Sequence, residues 1–253
     1  MNSDFPMKNM KITIQYDGTR YKGWQVQNST DMTIQGKLQD VLSTMTGQEV
    51  EVIGSGRTDA GVHAYGQVAN FHIPAHFKVQ EVMNYLNHYL PMDIAVTDIE
   101  EVDERFHARF HAIRKTYVYR IHTSNVPNVF ERKYMYTYLE SLNVDKMRKA
   151  ASLLIGTHDF AAFCGNKKMK KSTVRTITDI VITQKKDELE ISYTGDGFLQ
   201  QMIRIMTGTL IEVGNGSKQP ADIIQILESK IRENAGFTVP PEGLSLLSVK
   251  YDK

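Results

Sequence analysis

Residues 54 to 64 read Gly54-Ser55-Gly56-Arg57-Thr58-Asp59-Ala60-Gly61-Val62-His63-Ala64, three glycines set around a cation and a carboxylate. A carboxylate held in such a loop can attack a carbon or remove a proton and later be released. Glycine opens backbone geometries closed to other residues and lets a substrate come close to the main chain. Arg57 and Asp59 are two residues apart. In an extended loop this puts them on one side, with Arg57 able to reach into a bound ligand while Asp59 faces the reacting atom. The string lacks the Gly-Lys-Ser/Thr ending of a phosphate-binding loop. Taken alone, an aspartate in a loop more often stabilises a turn than does chemistry.

The loop must be held by the elements around it. Ile12, Ile14 and Tyr16 alternate with polar neighbours and predict a strand over Lys11 to Tyr16, closed by the Asp17-Gly18 turn. Ile34, Leu38, Val41, Leu42 and Met45 recur at helical spacing, with Thr30 or Asp31 as cap and Gly47 as stop. A strand over Glu49 to Ile53 then enters the loop, and another, near Gln67 to Ile73, follows it. Next come a helix near Val79 to Leu90, ended by Pro91, and strands near Ile94 to Val102 and Ala112 to Thr123. The second half repeats the style. It has a helix near Val144 to Ile155 ended by Gly156, strands over Val174 to Lys185 and Glu188 to Thr194, and an apolar helix over Phe198 to Val213. Pro220 opens a helix over Ala221 to Lys230, and a last strand covers Leu246 to Tyr251. Paired strands separated by single helices argue for an α+β fold with a mostly antiparallel mixed sheet flanked by helices. Residues 1–10 read as a polar, disordered tail, 11–125 as an N-terminal α/β half carrying the loop, and 126–253 as a C-terminal α/β half.

At 253 residues and 41% hydrophobic, the chain is long enough for a substantial core. Its single cysteine, Cys164, leaves no internal disulfide and no cysteine pair for a zinc ribbon, which fits a reducing, cytoplasmic setting. No run approaches the roughly 18 apolar residues of a membrane helix, and Met1 to Met10 has no apolar core of a signal peptide. The formal net charge is only +1, but its distribution is uneven. From Arg105 to Phe130 there is no Asp or Glu, while Arg105, Arg109, Arg114, Lys115 and Arg120 are present. A second acid-free run, Phe160 to Thr178, carries Lys167, Lys168, Lys170, Lys171 and Arg175. With Tyr117, Tyr119 and Phe163 interleaved, these runs suit a phosphate-tracking surface with stacking groups. Read blandly, they are two solvated faces.

Other candidates are weighed the same way. His107 and His111 are four apart, as in zinc-binding helices, but the segment lacks the catalytic Glu and reads as loop, so no metal site is expected. His63 is near Asp59, yet no Ser or Cys completes a triad, and it reads as a loop-packing residue. Tyr117 by pattern alone is a half-buried sheet residue, and Leu244 is core. Arg204 has Met202, Ile203, Ile205 and Met206 as neighbours, a buried setting that demands a partner for its charge.

The glycine-rich string closely resembles the signature of the bacterial tRNA pseudouridine synthase A family, in which the Asp of Arg-Thr-Asp-Ala-Gly-Val-His-Ala is the catalytic carboxylate. Further segments resemble the family in the family's order: Tyr16-Asp17-Gly18-Thr19, Gly23-Trp24-Gln25, Phe106-His107-Ala108-Arg109-Phe110 and Lys115-Thr116-Tyr117-Val118-Tyr119. So do Gly156-Thr157-His158-Asp159-Phe160, Gly197-Phe198-Leu199 through Arg204, Gly208-Thr209-Leu210 and Pro241-Glu242-Gly243-Leu244. The resemblance implies a pseudouridine synthase fold of two similar halves with a central cleft. It implies isomerisation of a flipped-out uridine in the anticodon stem-loop of tRNA, around positions 38 to 40. Asp59 then matches the nucleophile, Arg204 the partner that holds the carboxylate, Arg57 the residue that displaces the base, Tyr117 the aromatic that stacks on it, and Leu244 an apolar pocket residue. The same resemblance implies a homodimer that uses no metal and no organic cofactor. The basic Gly165 to Lys171 loop and the stretch after Pro220 match nothing diagnostic. The competing readings are a non-catalytic tRNA-binding module or chaperone and a hydrolase with Asp59 as its nucleophile.

Overall fold

The structure is a computed structural model that describes residues 6–252. It falls into two compact units, one made of residues up to Ile113 together with Leu246 onward, the other of Arg114 to Ser245.

The first unit contains strands β1 (Met7–Tyr16), β2 (Ile53–Gly54), β3 (His63–Pro74) and β4 (Ile94–Val102), and helices α1 (Ile34–Thr46) and α2 (Val79–Tyr89). β1 lies between β4 and β3, antiparallel to both. Met10, Ile12, Ile14 and Tyr16 alternate into the core, as the period-two pattern requires. β1 begins at Met7, so the expected tail over residues 1–10 is corrected: from Met7 its residues pair with β3, and residues 1–5 lie outside the described ones. α1 is capped by Thr33, whose hydroxyl accepts from the Gly36 N–H, rather than by Thr30 or Asp31. Gly47 ends it as expected, at φ 72°. The strand expected over Glu49 to Ile53 shrinks to β2, because Val50 and Val52 N–H groups are taken by the Ser43 and Gln39 side chains of α1.

The second unit contains β5 (Ala112–His122, from Arg114 onward), β6 (Tyr136–Thr137), β7 (Gly156–Asp159), β8 (Val174–Gln184), β9 (Glu188–Gly195), α3 (Val144–Ser152), α4 (Met202–Gly214) and α5 (Asp222–Ser229). β5, β9, β8 and β7 are neighbours in that order, all antiparallel, while β6 runs parallel to β5 and makes the sheet mixed. The last strand, β10 (Leu244–Tyr251), carries residues 246 to 251 back into the first unit. There it follows β3, with the Leu247 carbonyl so close to Gly66 that a Cβ on that glycine would sit 2.6 Å from it.

The boundary expected at residue 125 is therefore displaced to Ile113/Arg114, and the second half does not keep its own end. The stretch 125–138 leaves β5 and returns to pair Tyr136 with Ile121. α4 starts at Met202, not Phe198, because Gln201 at φ 58° breaks the helical path before it. Among the described residues no helix is long and apolar enough to cross a membrane.

Eleven residues of α4 are buried, so the helix is enclosed nearly all round, leaving Arg204 and Glu212 as its two less buried side chains. Two glycines make this possible. A Cβ at Gly208 would sit 1.8 Å from the Phe237 carbonyl oxygen, and one at Gly236 would sit 2.6 Å from the Thr209 Cα. Gly208→Ala is accordingly expected to cost at least about 1–3 kcal/mol, since backbone must move to admit the methyl. A urea titration checks this: the midpoint should fall with an unchanged slope, and an unshifted midpoint would mean that α4 can slide free.

Candidate active site

The glycine-rich string enters from β2 and leaves into β3, whose pairing sets Ile53 opposite Asn70 and Gly54 opposite Ala69. β1 pairs Tyr16 with Ala64, the last residue of the string, just after a bulge in that ladder. Between the strands the backbone has no ladder of its own, so its polar groups must find partners elsewhere. They do. Ser55 N–H donates to the Val68 carbonyl (2.7 Å), and the Ser55 hydroxyl donates to Gln67 Oε1 (2.7 Å). Gln67, fully buried, also donates from Nε2 to the Gly56 carbonyl (3.0 Å). The Thr58 carbonyl accepts from the Trp24 N–H (3.1 Å), and Gly61 N–H donates to the Tyr21 carbonyl (3.3 Å).

Side chains complete the hold. The Tyr16 hydroxyl and Thr58 Oγ1 are 2.8 Å apart. Burial pushes the pKa of Tyr16 well above its ordinary value, so the hydroxyl keeps its proton at neutral pH. His63 Nδ1 accepts from the Gly18 N–H (3.0 Å), which makes this buried histidine a brace for the loop's exit, as the sequence suggested. Thr58 is buried between an exposed Arg57 and a half-buried Asp59, the alternation expected of an extended segment. Arg57 Nε donates to Gln25 Oε1 (2.9 Å). Gln25 belongs to the Gly23-Trp24-Gln25 segment, so three stretches far apart in sequence converge on the string within one unit.

The other candidates lie in the second unit. Tyr117 sits on β5 opposite Tyr193 of β9, 7% exposed, with its ring edge-on to Phe198 at 5.3 Å. Arg204 is in the first turn of α4, and its Nε donates to the Val239 carbonyl (2.8 Å) while its own carbonyl accepts from the Val239 N–H (3.3 Å). That reciprocal pair ties the helix to the strand-like segment leading into Leu244, the buried first residue of β10. Tyr119, which composition alone marked only as a possible stacking group, proves to be a support: its hydroxyl donates to the Pro240 carbonyl (2.7 Å). Its ring also lies where a Cβ on Gly243 would come within 2.7 Å.

Two basic residues of the sequence patches are engaged structurally. Arg120 is held by Glu188 (2.6 Å) and Glu131 (2.7 Å), and the neighbouring guanidinium holds the Glu188 carboxyl below its usual range. Arg175 Nη1 donates to the Ser172 and Val174 carbonyls. His107 Nδ1 accepts from the Arg109 and Phe110 amides in a turn (3.2 and 3.3 Å). Among the described residues there is no group of three or more His, Cys, Asp or Glu placed to hold a metal ion.

Residues 12–111 and 150–252 match the family model described as tRNA pseudouridine synthase. The chain is 52% identical over 245 residues to tRNA pseudouridine synthase A of Bacillus sp. (strain KSM-64), covering 97% of this chain and all of that one. Over the same length it is 47% identical to tRNA pseudouridine synthase A 1 of Clostridium tetani and 46% to tRNA pseudouridine synthase A 2 of Bacillus anthracis, with the same coverage.

Gly23 is one of the close approaches that support the loop. It sits at φ 99°, and a Cβ there would lie 2.7 Å from the Thr58 carbonyl oxygen. Trp24, the only tryptophan, is 2% exposed beside it. In Gly23→Ala both the backbone strain and the overlap should push the string away from Trp24. Fluorescence reads this directly: the tryptophan emission should move to the red and the melting temperature fall. Emission and melting identical to the wild type would mean that the string does not depend on this approach.

Proposed function

Because the chain belongs to the tRNA pseudouridine synthase family and is thus a tRNA-modifying isomerase, we propose that it acts on uridines of the anticodon stem-loop, around positions 38 to 40, with Asp59 as the attacking carboxylate on a flipped-out base. The observation that carries the reading is the string itself, a carboxylate on an irregular loop in which Ser55, Gly56 and Thr58 are fastened by the buried side chains of Gln67 and Tyr16. Such rigidity is what positioning a reacting group demands.

In this reading the bond between N1 of the uracil and C1′ of the sugar breaks, the base turns, and C1′ joins C5, which gives up its proton while N1 takes one up. Substrate and product have the same atoms, so nothing is oxidised and no co-reactant is consumed. Asp59 supplies the carboxylate that attacks the sugar or removes a proton from it. Arg204 is assigned the role of partner to that carboxylate, as the family resemblance implies. Arg57, exposed on the same loop, helps displace the target base, and Tyr117 offers its ring as the stacking platform while Leu244 lines the pocket. The enzyme is proposed to work in the cytoplasm, as a homodimer, with neither metal nor organic cofactor.

Asp59→Ala tests the central role. With unmodified tRNA and EDTA present, wild type should yield pseudouridine in the anticodon arm by nucleotide-resolution mapping. The variant should yield none while binding tRNA at near wild-type affinity. Product from the variant, or release of free uracil by the wild type, would sink the proposal. Tyr117→Phe should retain much more activity than Tyr117→Ala, because the aromatic face survives. Equal loss in both would shift the role from the ring to the hydroxyl.

A further inference from the structure

The basic loop of residues 165–171 matched no functional segment of the sequence, and in the structure it walls a cleft of about 610 Å³ in the second unit. The opposite wall is the turn after α5, residues 230–233. Five cations line this cleft, Lys167, Lys170, Lys171, Lys230 and Arg232, against two carboxylates, Asp159 and Glu233. The carboxylates are already taken: Glu233 pairs with Lys167, and Asp159 pairs with Lys230 at 2.9 Å. Arg232 donates to the Gly236 carbonyl (2.9 Å) and to Thr238 Oγ1 (3.0 Å), and its charge helps Lys167 hold the Glu233 carboxyl below its usual range. Lys170 and Lys171 are exposed and form no ion pair among the described residues, and neither does Lys168 beside them. Lys170 and Lys171 thus line the cleft without carboxylate partners among the described residues.

The backbone beneath them is tied down. Gly165 N–H donates to the Gln200 carbonyl (2.9 Å), Lys168 N–H to Asn166 Oδ1 (3.0 Å), and Met169 N–H to the Asn166 carbonyl (3.2 Å). At the far end Arg175 holds the Ser172 carbonyl (3.0 Å), and the Asp159 carboxylate accepts from the Thr173 hydroxyl. Long flexible lysine stems on a fixed loop suit phosphates spaced along a strand, since each ammonium acts as a mobile point charge rather than a bidentate fork.

Resting on the activity proposed above, we propose that this cleft is a phosphate-binding subsite for the tRNA backbone, with Lys170 and Lys171 as its principal contacts. It includes none of the residues assigned to the chemistry and governs affinity, not the reaction step. An acidic protein segment is the less favoured occupant, because the enzyme's own substrate is already a polyanion.

The test compares Lys170→Ala/Lys171→Ala with wild type and with a charge-matched control on α3, Lys146→Ala/Lys149→Ala, using the full-length protein and unmodified tRNA. Affinity is measured between 50 and 200 mM salt, a range over which phosphate contacts show as a steep slope of about 0.7 to 0.9 per phosphate. The cleft variant should bind several-fold more weakly, with the slope reduced by about 1.5, and the α3 control should match wild type. Single-turnover pseudouridine formation at saturating enzyme should be unchanged, and Lys170→Arg/Lys171→Arg should restore affinity. Unchanged affinity and slope in the cleft variant, or an equal loss in the control, would overturn the subsite. Absence of pseudouridine from wild type would overturn the activity alone, because the binding comparison still decides the cleft.

Discussion

A carboxylate can be aimed only if the chain that bears it cannot wander, and the segment bearing Asp59 has no ladder or helix to hold it. Its rigidity has to come from polar groups brought in from other elements and buried with it. Gln67 reaches across from β3 to both Ser55 and Gly56, and Tyr16 reaches from β1 to Thr58. Each such bond contributes only about 1 kcal/mol net, but leaving a buried partner unpaired costs more, so the set acts together. The described residues contain no buried side-chain nitrogen or oxygen without a hydrogen-bond partner. That completeness lets an irregular segment be as well fixed as a strand.

Close approach without side chains is the second condition. Gly18 and Gly23 face the string where a Cβ would lie 2.0 Å from the Val62 carbonyl oxygen and 2.7 Å from that of Thr58. In the other unit Gly208 and Gly236 let α4 meet the segment that runs into Val239, which in turn accepts from Arg204. In each unit the glycines bring backbone against backbone, and the hydrogen bonds then set the register. The cost is entropic, since glycine loses the most freedom on folding.

Charge is divided in a comparable way. Arg120 and Arg175 are consumed by internal partners, so part of each basic run serves the fold. Lys170 and Lys171 keep theirs for solvent and ligand. A net charge near zero therefore coexists with a concentrated local field, which is what a phosphodiester backbone meets.

Much of this was legible in the residues. Period-two alternation located β1, strand signals placed β4, β8 and β9, and Gly47 and Pro91 marked where α1 and α2 end, because these signals are local. The glycine-rich string and its Asp59 also stood out, since side-chain chemistry and glycine spacing are written along the chain. What failed was non-local. The four-residue β7 and the two-residue β6 exist only because a longer neighbour pairs with them. Gln201 in the left-handed region, which delays α4, is imposed by packing and has no composition signal. The unit boundary at Ile113 and the return of β10 depend on which strand a chain end pairs with. The hydroxyl of Tyr119, read as a stacking group, and the amide of Gln67 find partners 121 and 11 residues away, which no local signal marks. Sequence determined which groups were present and the local shape of most elements. Tertiary structure decided which of them would meet, because a hydrogen bond or an ion pair depends on distance through space.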